Sequence, residues 1–181
     1  MPKIAVIADS NCGIMPLEEE KYGIYILPMP VIIDGKTYCE GTDISLEEFY
    51  QRQSQGAVIS TSQPSPGDVT AMWDRLLETH DEIVFIPMSS GLSSTCQTSL
   101  LLAAEEPYKG KVFVVDDHRI SVTQAVAALE ARNLAEKGKS ASEIKEILER
   151  EAMDATIYIA VDTLEYLKKG GRITAAAAAQ G

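Results

Sequence analysis

Apolar residues in this chain are arranged in two textures. Continuous runs over 4–8, 83–88 and 112–115 suit strands buried on both faces of a parallel sheet. The first is closed by Asp9-Ser10-Asn11 and the last by Asp116-Asp117. A further run, 24–33, is broken by Pro28 and Pro30 and predicts an edge strand. Asp34-Gly35 then marks a tight turn, with 36–38 returning as a hairpin. Residues 58–61 read as a short strand or a connection, and 156–161 as a strand.

Between these runs the period changes to that of a helix. Ser45-Leu46-Glu47-Glu48 is a capping box that opens a helix to about Gln53. Pro66-Gly67-Asp68 starts a helix with Val69, Met72, Trp73, Leu76 and Leu77 on one face. A Leu- and Ala-rich helix follows the serine loop after residue 88. Residues 122–137 predict a helix with Ala125, Val126, Leu129 and Leu134 inward and Gly138 as its stop. Ser140-Ala141-Ser142-Glu143 is a second capping box, ahead of the core stripe Ile144, Ile147 and Leu148. Residues 163–169 read as a short helix ended by Gly170-Gly171.

Strands and helices alternate almost throughout. That order predicts an α/β fold, a mostly parallel sheet with helices on both faces and right-handed crossovers. Ligands in such sheets bind outside the carboxyl ends of the strands. Residues 1–153 form the expected N-terminal α/β domain. Residues 154–181 hold a strand, a helical turn and an alanine run at 175–179. They read as the start of a second α/β domain that looks truncated, so the chain is expected to be a fragment.

Charge narrows the partners. Sixteen basic residues against 27 acidic ones leave a net charge of −11, whereas nucleic acid or an anionic membrane surface wants a basic patch. An anion site in so acidic a chain has to be built locally, from N–H groups, hydroxyls and one or two cations. Cys12, Cys39 and Cys96 fit neither a disulfide framework nor a metal spacing. No apolar run suits a signal peptide or reaches the length of a membrane span, so a cytoplasmic protein is expected.

The candidate chemistry centres on residues 82–104, EIVFIPMSSGLSSTCQTSLLLAA. A strand opens through Ser89, Ser90, Gly91, Ser93, Ser94 and Thr95 into a helix N-terminus, where free N–H groups, the helix dipole and hydroxyls favour an anion. A second hydroxyl cluster, Thr61-Ser62-Gln63-Pro64-Ser65, precedes another helix. Ser62 or Ser65 serves there simply as an N-cap, or the two clusters converge on one carboxylate. Ser93 as a nucleophile would need a base and an orienting group. His80 and His118 offer no triad-like context, and SSGLS lacks the G-x-S-x-G spacing. Neither G-x-G-x-x-G nor a P-loop occurs. Asp9 and Asp116 are better read as turn or cap residues than as metal ligands. Lys168-Lys169-Gly170-Gly171-Arg172 concentrates positive charge, either as a helix C-cap or as a docking patch for a phosphorylated or acidic partner.

These motifs occur in a telling order. Asp9-Ser10 is followed by Asp34-Gly35-x-x-Tyr38, Asp43-Ile44 and Glu47-Glu48-Phe49-Tyr50. Then come Thr61-Ser62-Gln63-Pro64-Ser65, the loop SSGLSST at 89–95 and LEYLKKGGRI at 164–173. The whole resembles the DegV family, the fatty-acid-binding subunits of bacterial fatty acid kinase. The resemblance implies a non-catalytic protein of phospholipid metabolism that holds one long-chain fatty acid between two domains. It implies no metal and no cofactor beyond that ligand. It implies a carboxylate held by Thr61, Ser62 and Ser93 with backbone N–H groups of the Gly91 loop. The implied partner is an ATP-dependent kinase subunit that converts the carboxylate to an acyl phosphate, with Arg172 in its docking. Ser94 stands where relatives often have glycine. The rest of the second domain, which supplies much of the acyl tunnel and a histidine near the head group, is absent from this sequence. Two other readings stay open: a serine hydrolase or acyltransferase using Ser93, and a phosphate- or nucleotide-binding α/β domain.

Overall fold

The computed structural model describes residues 2–173; the alanine run lies outside them. In chain order the elements are β1 (Ile4–Asp9), α1 (Glu19–Tyr22), β2 (Tyr25–Leu27), β3 (Pro30–Ile33), β4 (Lys36–Cys39), α2 (Leu46–Ser54) and β5 (Ile59–Thr61). They continue with α3 (Pro66–Leu77), β6 (Glu82–Ile86), α4 (Thr95–Ala103), β7 (Val112–Val114), α5 (Val122–Glu136), α6 (Ala141–Arg150) and α7 (Glu165–Lys169).

Four strands form a parallel sheet in the order β2-β1-β6-β7. Successive side chains point to opposite faces, so each central strand feeds two cores. Ala5, Ile7, Ile83, Phe85 and Val114 meet Val69, Met72, Trp73 and Leu76 of α3 and Cys96 of α4. Val6, Ala8, Val84 and Ile86 meet Ala127, Ala128 and Ala131 of α5 with Ile144 and Leu148 of α6. The α/β layering predicted from the alternation is present, with helices on both faces.

Local chemistry sets the helix starts. Ser65 and Ser140 each accept from the backbone N–H three residues on, while Asp68 and Glu143 reach back in complete capping boxes. Ser45 accepts from Glu48 N, but the Glu48 carboxylate pairs with Arg52 instead of reaching back. Gly138, at φ 84, ends the α5 turn as expected.

Three expectations change. The run 24–33 does not make one edge strand. Its first half is β2, at the edge of the parallel sheet; its second half is β3, the centre of a separate antiparallel sheet ordered β4-β3-β5. Pro30 sits at the first position of β3, where a missing N–H is tolerated. Asp34 and Gly35, at φ 49 and 80, make the predicted tight hairpin to β4.

The inward face of α5 is also different. Gln124, Ala127, Ala128 and Ala131 are buried, whereas Val126 is 57% exposed. Ala125 and Leu134 reach only the margin of the core. Apolar residues surround this helix, so periodicity does not choose a face. The choice falls to Gln124, whose Nε2 donates to Asp9 Oδ1 and to the Ile86 carbonyl, both 3.1 Å away.

The third change is at 156–161, which pairs with no strand among the described residues. A strand's backbone groups need a neighbour, and none is supplied here.

Candidate functional site

The carboxyl ends of β1 and β6 are tied together by one buried carboxylate. Asp9 accepts from Asn11 N (3.1 Å), Asn11 Nδ2 (3.0 Å), Gln124 Nε2 (3.1 Å) and Met88 N (2.7 Å). Burial pushes its pKa up against the pull of those donors. The turn-and-cap reading of Asp9 holds. Asp9 also fixes the point at which the serine loop leaves β6, through Met88.

Ser10 joins the two sheets. Its hydroxyl donates to Glu40 Oε2 at 2.5 Å and accepts from Met29 N at 3.0 Å. Burial raises the pKa of the Glu40 carboxyl, and the Asp9 charge adds to the effect.

A cavity of about 170 Å³ opens between the two sheets. Met29, Val31, Ile44, Phe49 and Met88 supply apolar wall, and Glu40 also lines it. Thr61, Ser62, Gln63, Ser93 and Arg172 line this cavity and an adjoining open groove. Ser90, Gly91, Ser94, Gly170 and Gly171 line the groove alone.

Thr61 ends β5 opposite Val31 of β3. Ser62 N donates to the Pro30 carbonyl at 3.5 Å. Gln63 accepts from the Thr98 hydroxyl at 3.2 Å, which ties the first hydroxyl cluster to α4. The two clusters therefore meet, although Thr61 belongs to the antiparallel sheet and Ser93 follows the parallel one. Ser65 is the N-cap of α3, so the plain capping role falls to it alone within Thr61–Ser65.

Ser93 Oγ lies 2.8 Å from Thr95 Oγ1 and accepts from Thr95 N at 3.2 Å. The Gly91 N–H donates to Ser89 Oγ at 3.2 Å, so it must change partner before it can serve an anion.

Arg172 is the residue whose place local pattern did not reveal. Nη2 donates to Thr61 Oγ1 at 3.2 Å and Nη1 to the Gly170 carbonyl at 3.1 Å. The side chain folds across Gly170, where a Cβ would stand 2.0 Å from Nη1. The contact with Thr61 spans 111 positions. Asn11, Met29, Glu40 and Met88 were likewise missed as lining residues, because nothing near them in sequence marks a cavity wall.

Of the two histidines, His118 differs from expectation and His80 does not. His118 Nδ1 lies 3.4 Å from Ser90 Oγ and 3.4 Å from Asp116 Oδ1, so a Ser-His-Asp neighbourhood does exist. Serine and aspartate share one ring nitrogen, whereas a triad uses the two nitrogens separately. The serine is Ser90, while Ser93 is engaged with Thr95. His80 Nδ1 faces the Leu76 carbonyl at the end of α3. Among the described residues no three His, Cys, Asp or Glu side chains form a metal-binding group, and no helix is long and apolar enough to cross a membrane.

Known proteins share this fold. The family described as "Uncharacterised protein, DegV family" matches residues 3–181. A DegV domain-containing protein of Caldanaerobacter subterraneus subsp. tengcongensis is 32% identical over 174 residues, covering 96% of this chain and 62% of that protein. A solved structure described as "Fatty Acid Binding of a DegV family Protein from Thermus thermophilus" superposes with a TM-score of 0.84 at 34% identity, over 97% of this chain and 62% of that one. "DegV, a fatty acid binding protein from Bacillus subtilis" superposes at 0.82 with 28% identity, over 94% of this chain and 61% of that one. The chain thus spans about three fifths of the length of these relatives.

Proposed function

The chain belongs to the DegV family, and on that premise we propose that it holds one long-chain fatty acid and presents the carboxylate to an ATP-dependent kinase subunit. The observation that carries this reading is the junction of an apolar cavity with a cluster of hydroxyls and one guanidinium. Thr61, Ser62, Ser93 and Arg172 line that junction. The carboxylate accepts from these groups and from the Gly91 loop, and each hydrogen bond to a charged group contributes about 1.5–3 kcal/mol.

The acyl chain enters between Met29, Val31, Ile44 and Phe49, gaining about 0.8 kcal/mol per buried CH₂. The 170 Å³ available resembles the engineered cavity of about 150 Å³ that takes a benzene. Roughly six carbons fit on that scale, so the rest of a long chain needs cover from elsewhere. We assign residues 1–153 to the head-group domain and 154–181 to the opening of a second one. The exposed apolar run 156–161 supports this division.

A fatty carboxylate is already ionised at pH 7, so the carrier needs no base. In the kinase step a carboxylate oxygen forms a bond to the γ-phosphorus of ATP. The β–γ bridging P–O bond breaks, and its electron pair leaves on ADP. Arg172, exposed beside Thr61, is the proposed contact with the kinase.

The test is extraction of natively purified protein into organic solvent, followed by mass spectrometry. One long-chain fatty acid per protein is expected. Ser93→Ala and Thr61→Val should each weaken its binding by about tenfold or more without unfolding the protein. Absence of fatty acid refutes the carrier. Unchanged affinity in both variants moves the carboxylate to another site.

A further inference from the structure

We propose that Glu40 is a proton-linked member of the ligand site: its carboxyl takes one proton from solvent when a fatty acid enters the cavity and returns it when the acid leaves. The proposal rests on the carrier reading above and adds to it a residue and a pH dependence.

Glu40 is held in place by a closed circuit of hydrogen bonds. Its backbone N–H donates to the Met29 carbonyl at 3.0 Å. The Met29 N–H donates to Ser10 Oγ at 3.0 Å, and the Ser10 hydroxyl donates to Glu40 Oε2 at 2.5 Å. A backbone bridge to Ile44 holds the residue from the other side. The carboxyl therefore lines the cavity without freedom to turn out to water. Among the described residues no other hydrogen bond and no ion pair reaches it.

Glu40 and Arg172 are the charged side chains that line this cavity among the described residues. Empty, the cavity wall carries one negative and one positive charge. A fatty carboxylate is ionised at pH 7, so its entry leaves a surplus negative charge, in a chain whose net charge is already −11. The acyl chain, lying against Met29, Val31, Ile44 and Phe49, also displaces water from the Glu40 carboxyl. Like charge and lost hydration both favour the neutral acid. One proton removes the surplus. Oε2 already accepts from Ser10, so the proton goes to Oε1.

The neighbours of Glu40 act in the same direction. Burial pushes its pKa up; the Ser10 hydrogen bond opposes this and the Asp9 charge adds to it. Asp9, at the end of β1, is itself pushed up by burial. Burial also pushes the Cys12 thiol up to about 11 and raises that of Cys39, so neither supplies a charge at pH 7. The Asp43 carboxylate accepts from Cys39 N at 2.9 Å. The Arg172 guanidinium is engaged with Thr61 Oγ1 and the Gly170 carbonyl, not with Glu40. Because loading raises the Glu40 pKa further, affinity is greatest below that pKa and falls as pH rises through it.

The experiment is calorimetry of palmitic acid binding to the wild type and to Glu40→Gln, at several values between about pH 5 and 8, each in two buffers of different ionisation enthalpy. The dependence of the heat on the buffer counts the protons taken up. The wild type should take up a proton, and its affinity should fall by up to about tenfold per pH unit at the steepest point. Glutamine still accepts from Ser10 and mimics the neutral acid. Glu40→Gln should take up no proton, lack this fall and bind about tenfold or more tightly than the wild type at the alkaline end. In the wild type, carbon-13 NMR should show the Glu40 carboxyl carbon moving toward its neutral-acid position on loading, a readout that needs no variant. Proton uptake that persists in Glu40→Gln overturns the proposal, as does a Glu40 carboxyl that stays ionised in the loaded protein. A wild type that binds palmitic acid without proton uptake overturns it too, and leaves the carrier reading standing. A wild type that binds no palmitic acid at any pH refutes the carrier reading, and the linkage falls with it.

Discussion

Residues 83–86 and 156–161 are both short apolar runs rich in β-branched and aromatic side chains, and the molecule treats them in opposite ways. Ile83, Val84, Phe85 and Ile86 are all at 0% exposure, with β1 and β7 beside them and helices above and below. In the second run Tyr158 is 93% exposed, Ile159 59% and Val161 47%. Composition does not separate them. A neighbouring strand does, because propensity for β structure is mostly a fit to a pleated, half-buried surface. The same contrast divides the site. Thr61, Ser62 and Ser93 stand on the sheets and their loops, while Arg172 comes from the exposed segment that follows 156–161.

The sharpest break of this comparison is Phe85→Ala. The ring packs edge-on against Trp73, centroids 6.2 Å apart, at full burial. Truncation should cost about 3–5 kcal/mol, read as a lower urea midpoint at unchanged slope. A loss under about 1 kcal/mol would mean that β6 is not the centre of the frame.

A smaller effect is expected at the carboxyl end of β7. Asp117 is buried and accepts from Arg119 N at 3.1 Å, while its other oxygen has no partner. Burial pushes its pKa up from 3.8 to about 6; the Arg119 and His118 charges oppose this and Asp116 adds to it. The folded state therefore holds this proton to higher pH than the unfolded chain does. Stability from this group is greatest below about pH 4 and is lost as pH rises through 6. Asp117→Asn keeps an acceptor for Arg119 N and removes the charge. It should stabilise the protein above pH 6 by on the order of 1 kcal/mol and flatten the denaturation midpoint between pH 4 and 6. An unchanged midpoint at pH 7 would show that the buried charge carries no penalty.

The smallest effect belongs to the exposed run. Tyr158→Ser should change stability by less than about 0.5 kcal/mol in this chain. A loss above about 2 kcal/mol would show that the ring packs in solution and would erase the contrast with Phe85.

Much of the frame was legible because its signals are local. Ser65 and Ser140 cap helices through residues three positions on, and Asp34-Gly35 closes a hairpin within itself. The buried runs announce parallel strands because no side of them is polar. The hydroxyl loops, too, follow strand ends in plain sequence, and both line the site.

The rest depended on closure over long separations. The run 24–33 divides between two sheets because Ser10 holds Met29 N at the crossing, 19 residues away. The α5 helix takes its alanine face because Gln124 satisfies Asp9 across 115 positions. Arg172 reaches Thr61 across 111, bringing a helix-end cation to the wall of the cavity. Caps, turns and periodicity are properties of neighbours in the chain, and the amino-acid order by itself determines them. Which strand finds a partner, which helix face is buried and which cation meets which hydroxyl are decided only when the tertiary structure brings distant groups together. Part of what such groups need is a donor or an apolar surface that no nearby residue provides.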